Sequence, residues 1–74
     1  MSKELFGRRL IQLRKQQGVT QEELAFGVEV AVMTVRRWEH GEYGPEFDRL
    51  LKIAQVLKVE PWELLDFRKL QHKP

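Results

Sequence analysis

The chain has 74 residues, thirteen Lys and Arg against eleven Asp and Glu for a charge of +2, and a hydrophobic fraction of 42%. That length makes one small domain, near the size at which a single core stabilises a fold only marginally, and it excludes a two-domain enzyme. With no cysteine there are no disulfides, thiolate nucleophiles or cysteine-ligated zinc, and no run approaches the roughly 18 apolar residues of a membrane helix.

Glycine and proline are sparse, and β-branched residues never alternate with polar ones for long, so an all-α fold is expected. Ser2 precedes a first helix whose Phe6, Leu10 and Leu13 recur at i, i+4 and i+7, and Gly18 stops it. Arg8, Arg9, Gln12 and Lys15 fall mostly elsewhere on that wheel. Thr20 and Glu23 form a capping box, so a second helix opens at Gln21. Gly27 weakens it after about two turns, and a turn falls within Gly27–Val28–Glu29–Val30. The third helix is expected from roughly Ala31 to His40, against Gly41.

Glu42–Tyr43–Gly44–Pro45 reads as a loop whose proline can open the fourth helix, about Glu46 to Leu57, with Phe47, Leu50, Leu51, Ile53, Ala54 and Leu57 as its apolar face. Val59–Glu60 turn the chain, and Pro61 starts a fifth helix carrying Trp62, Leu64 and Leu65, with Phe67 and Leu70 beyond. Residues 1–70 thus form one five-helix domain, and 71–74 a frayed tail with nothing to pack.

On the third helix, at about 100° per residue, Met33, Arg36, Arg37 and His40 share one side while Ala31, Val35 and Trp38 lie on the other. A short helix held by its dry side and projecting arginines outward has the shape that enters a major groove. An ordinary solvated face carries the same charges, and by itself is the commoner explanation.

From Phe6 to Leu65 the chain resembles the Cro/repressor-type, Xre-like helix-turn-helix DNA-binding domain. The matching residues are Leu13–Arg14 and Gly18, Thr20–Gln21–Glu22–Glu23–Leu24–Ala25, Val35, Trp38–Glu39 with Gly41, and Leu50, Ile53, Ala54, Leu57 and Val59. The resemblance implies a five-helix fold with helices 2 and 3 as the motif, and double-stranded DNA as partner. It implies a backbone-phosphate role for Gln21 at the helix start, where free N–H groups gather. Val32, Met33 and Arg37 match base-reading positions, and Thr34 and His40 match sugar-phosphate or base-edge positions. Arg36 lies on the same face, within reach of a phosphate or merely solvated. Tyr43, in the loop after helix 3, is a further DNA-binding candidate. Arg37 is the expected source of sequence choice, because its planar fork takes guanine O6 and N7 together. Arg14 and Glu39 match a structural ion pair between helices 1 and 3.

The sequence departs from the family in three places. Glu29 stands where glycine normally supplies positive φ, with Gly27 two residues earlier as an alternative bend. Ala31 replaces the usual Ser or Thr cap of helix 3. The loop after it offers Glu42, Tyr43 and Glu46 in place of basic residues, implying fewer phosphate contacts and a shallow salt dependence.

Ser2 is the only serine, and His40 and His72 stand far apart with no acidic pair to serve them, so neither catalysis nor a metal or cofactor is expected. No small-molecule ligand is expected either. No signal-peptide core follows Met1–Ser2–Lys3–Glu4, which places the expected protein in the cytoplasm. The expected function is therefore a transcriptional regulator that binds a pseudo-palindromic operator as a homodimer, through Trp62, Leu65 and Phe67. The alternative is a protein-interaction module of the same fold, an antitoxin or a bridging cofactor, favoured by the outward Val32 and Met33 and by the acidic loop.

Overall fold

In the computed structural model, which describes residues 2–70, the Ser2 hydroxyl accepts the Leu5 N–H at 3.2 Å and opens α1 (Lys3–Gln16). Helix α2 (Gln21–Val28) begins in a complete capping box: the Thr20 hydroxyl accepts the Glu23 N–H at 3.0 Å, and the Glu23 carboxylate accepts the Thr20 N–H at 2.9 Å. Helix α3 (Val32–Glu39) starts at Ala31, whose side chain supplies no cap, and α4 spans Phe47–Leu57. No strand occurs among the described residues. The expected frayed tail at 71–74 lies outside them.

The core is one cluster to which every helix contributes: Phe6, Leu10 and Leu13 from α1, Leu24, Ala25 and Val28 from α2, Val35 and Trp38 from α3, and Leu50, Ile53, Ala54 and Leu57 from α4, closed by Leu64. Each large aliphatic or aromatic side chain in it contributes roughly 1.5–3 kcal/mol by leaving water. Helix α2 packs on α3 and α4, while α1 packs on α3 and on the C-terminal segment. Helix α3 is therefore held from behind by two helices and left open in front.

All four helices end in the same way. A left-handed residue closes each one, the cap itself in α2 and α4 and the residue after it in α1 and α3, and N–H groups beyond it return to carbonyls of the last turn, as in Val19 to Arg14, Val30 to Ala25, Glu42 to Arg37 and Val59 to Ala54. Gly18 and Gly41 take the left-handed position at φ 70° and 76°, but Glu29 and Lys58 take it at 67° and 59° with full side chains. Gly27 does not relocate the bend after α2. It lies inside α2, and an added Cβ there would come within 2.8 Å of the Val56 side chain of α4, so the position serves close packing.

The C-terminal segment departs from the expected fifth α-helix. It forms two 3-10 turns, Pro61–Leu65 and Phe67–Leu70. The Glu63 carbonyl, which an α-helix would give to the N–H four residues on, instead accepts Arg9 Nε at 2.8 Å and the Asp66 N–H at 3.3 Å, so the chain tightens and stops. Arg9 is accordingly buried in α1 rather than solvated, its Nη1 donating to Gln12 Oε1. Past the stop, Arg68 clasps the Asp66 carboxylate through Nε at 2.8 Å and Nη2 at 3.0 Å, lowering the Asp66 pKa from 3.8 to about 2.

Two details of α4 also differ. Pro45 does not open the helix. Glu46 is the extended cap residue, and its carbonyl accepts the first helical bond from the Leu50 N–H. Phe47 and Leu51 face solvent, because the packing direction runs through Leu50, Ile53, Ala54 and Leu57 and leaves both to one side.

Candidate nucleic-acid interface

The exposed face of α3 consists of Met33, Arg36 and Arg37, with His40 at its C-cap. Met33 is 46% exposed, a large apolar side chain presented to water. Val35 and Trp38 are buried on the opposite side. Val32 is half-buried and packs on the core, so part of its surface belongs to the fold rather than to the open face. Thr34 is half-buried on the flank, lining a shallow depression with Val30, Trp38, Tyr43 and Arg49. Tyr43 is exposed at the edge of that depression.

The back of α3 approaches α1 at its single internal glycine. A Cβ on Gly7 would lie 2.5 Å from the Trp38 carbonyl oxygen and 2.6 Å from that of Glu39. Glycine inside a helix costs about 1 kcal/mol relative to alanine, which is the signal that the position serves packing.

A polar chain runs outward from this contact. The Glu39 side chain is 3% exposed, and Arg14 meets it with two hydrogen bonds, Nε to Oε2 at 2.6 Å and Nη2 to Oε1 at 3.2 Å. Arg14 Nη1 also donates to the Val19 carbonyl at 3.0 Å, pinning the turn between α1 and α2. Gln21 Nε2 donates to Glu39 Oε1 at 2.8 Å, and Gln21 Oε1 accepts Arg36 Nε at 3.3 Å. Every buried side-chain nitrogen and oxygen among the described residues has a partner, so the charge on Glu39 is satisfied where an isolated one would cost several kcal/mol.

At the surface each outward arginine has an acidic neighbour. Arg36 Nη2 lies 3.9 Å from Glu22 Oε2, and Arg37 Nε lies 3.9 Å from Glu42 Oε1. These are long, solvent-exposed pairs, of a kind contributing at most about 1 kcal/mol. Sequence reasoning placed neither glutamate beside an arginine, since the approach depends on the angle between α2 and α3 and on the turn after Gly41.

A buried-backed helix with an open basic and apolar face, preceded by a capped helix and a tight left-handed turn, is the geometry of a helix-turn-helix. The helix-turn-helix family HTH_3 matches residues 10–64. The chain belongs to that family. It is 34% identical over 64 residues to the control protein C.BamHI of Bacillus amyloliquefaciens, covering 85% of this chain and 79% of that one. Among solved structures it is similar to the restriction-modification controller protein C.AhdI of Aeromonas hydrophila, at 37% identity and a TM-score of 0.79 over 84% of this chain and 94% of that one. It is also similar to the competence regulator ComR of Streptococcus vestibularis, at 34% identity and a TM-score of 0.80 over 89% of this chain but 22% of that one. All three bear the names of control, controller or regulator proteins.

The residues expected at a dimer contact sit on the two C-terminal 3-10 turns. Trp62 is 61% and Leu65 41% exposed, whereas Phe67 is half-buried and packs against the core. No helix among the described residues is long and apolar enough to cross a membrane.

Proposed function

We propose that this chain is a transcriptional regulator that binds double-stranded DNA by inserting α3 in the major groove. The observation that carries the reading is the outward, uncovered face of Met33, Arg36, Arg37 and His40 on a helix buried only from behind. Arg37 would take guanine O6 and N7, and Met33 would pack on a thymine methyl. Arg36 would meet a phosphate, with Thr34, Tyr43 and the free edge of Val32 at the groove margin. A homodimer through Trp62 and Leu65, with Phe67 beneath them, would set two α3 helices about 34 Å apart on a pseudo-palindromic operator. Two relatives named as controllers of restriction-modification or control proteins support a regulatory role.

A second reading, a protein-interaction module working as an antitoxin or bridging cofactor, is favoured by Phe26, 87% exposed on α2, and by the glutamates beside both arginines. Fluorescence anisotropy with random duplex at two salt concentrations separates the two. Binding that weakens with salt supports the regulator, and absent or salt-insensitive binding at low salt supports the module. Selection of bound sequences from a random pool then reads symmetry and half-site spacing.

A further inference from the structure

The Glu39 carboxylate can only accept hydrogen bonds, so the Gln21 side chain must turn its amide nitrogen inward to it, at 2.8 Å. The amide plane then points Gln21 Oε1 the other way, toward α3, where it accepts Arg36 Nε at 3.3 Å. With Nε engaged, the Arg36 side chain is still 45% exposed, and its Nη2 is held only by a 3.9 Å exposed contact with Glu22 that a phosphate can replace. We propose that Gln21 is a positioning residue that holds Arg36 extended toward the DNA backbone, with the buried Arg14–Glu39 pair fixing the amide that does so. The proposal rests on the DNA-binding reading above, and it differs from a direct Gln21–phosphate contact, which the second amide proton of Gln21 would have to make.

The two routes differ in counterion release. A neutral amide that touches a phosphate displaces no cation, whereas losing one arginine–phosphate contact lowers the slope of log K against log salt by about 0.9. Binding to random duplex is measured for the full chain, Gln21→Met, Arg36→Met and the double variant. Gln21→Met should weaken binding about 2- to 10-fold, the span of one hydrogen bond. Its slope should fall toward that of Arg36→Met, and it should have little further effect once Arg36 is gone. Equal losses in both backgrounds with the slope unchanged would overturn the proposal and assign Gln21 to phosphate directly. An unchanged slope in Arg36→Met, an exposed site whose replacement leaves the core intact, would overturn it as well.

A readout without DNA separates this proposal from the reading beneath it. The Arg36 Nε–Hε NMR signal of the free chain should be ordered in the wild type and motionally averaged in Gln21→Met. A signal identical in the two overturns the proposed hold. A chain that keeps the ordered signal yet binds no duplex supports the hold and refutes the DNA-binding function.

Discussion

Adding one methyl group at Gly7 tests how the fold carries α3. An alanine Cβ there would sit 2.5 Å from the Trp38 oxygen and 2.6 Å from the Glu39 oxygen, where ordinary contact begins at 3.4 Å. The end of α3 must therefore retreat by about 0.9 Å, and both sides of the contact are backbone, which no side-chain rotation relieves. Overpacking of this kind costs typically 1–3 kcal/mol, and rigid backbone on both faces puts Gly7→Ala at or above the upper end. Better helix propensity returns about 1 kcal/mol. A net loss of about 2 kcal/mol corresponds to a fall in Tm of roughly 8–16 °C for a domain this small. Thermal unfolding followed by circular dichroism at 222 nm, with urea titration alongside, reads the loss directly. Gly18→Ala is the control: nothing lies within 4 Å of its Cβ position, so only its left-handed φ of 70° is strained, and it should lose about half as much. A Gly7→Ala chain melting at or above the wild-type temperature would refute the claim that backbone contact fixes the depth of α3.

The other expected outcomes follow from single sites. Glu29→Gly relieves a left-handed side chain at φ 67° and should raise Tm by a few degrees, the gain of roughly 1 kcal/mol being partly offset by glycine's freedom in the unfolded chain; a lower Tm would show that no strain is stored there. Asp66 has its pKa lowered from 3.8 to about 2 by Arg68, so its contribution to stability is complete above about pH 4 and lost as pH falls through about 2. Urea titrations across that window should show a flatter pH dependence in Asp66→Asn, and an unchanged slope would mean the Arg68 clasp persists on unfolding. Arg37→Ala should relax choice at one base pair per half-site, about 1–3 kcal/mol of discrimination in sequences recovered from a random pool. A uniform loss across all sequences would instead place Arg37 on phosphate.

Where a local rule had no competitor, the sequence was legible. The Thr20–Glu23 capping box, the Gly18 and Gly41 stops and the Phe6–Leu10–Leu13 stripe each depend on residues within two turns, and each stands where the pattern puts it. The failures are tertiary. Arg9 looks like a surface residue until the Glu63 carbonyl arrives from the far end of the chain, and the same bond turns the expected fifth α-helix into 3-10 turns. Phe47 counts as apolar on a wheel, but only the packed neighbours reveal that the core lies to one side of it. At the interface, spacing alone gathers Met33, Arg36, Arg37 and His40 on one face. The engagement of Gln21 by Glu39 and the partial burial of Val32 against the core depend on how α2 and α3 cross.

That crossing also bears on how strongly one copy can hold DNA. Arg36 and Arg37 each have a glutamate 3.9 Å away, and the following loop adds Glu46 rather than a cation. On the DNA-binding reading, Arg36 would exchange a carboxylate for a phosphate and Arg37 a carboxylate for a base edge, so the electrostatic gain would be a difference between two partners rather than a full contact, with the displaced carboxylate still close to the duplex. Attraction to arbitrary sequence is thereby reduced, while a base-edge contact by Arg37, which depends on shape and not on net charge, keeps its value. On that reading a single small module, with an acidic loop after α3, would draw little affinity from phosphate contacts. Joining two of them makes the second encounter intramolecular and raises affinity without any new contact. For the DNA-binding reading, then, the exposed Trp62 and Leu65 matter as much as α3: replacing both with polar residues should abolish tight operator binding while leaving the weak, salt-sensitive binding of one copy to random duplex intact.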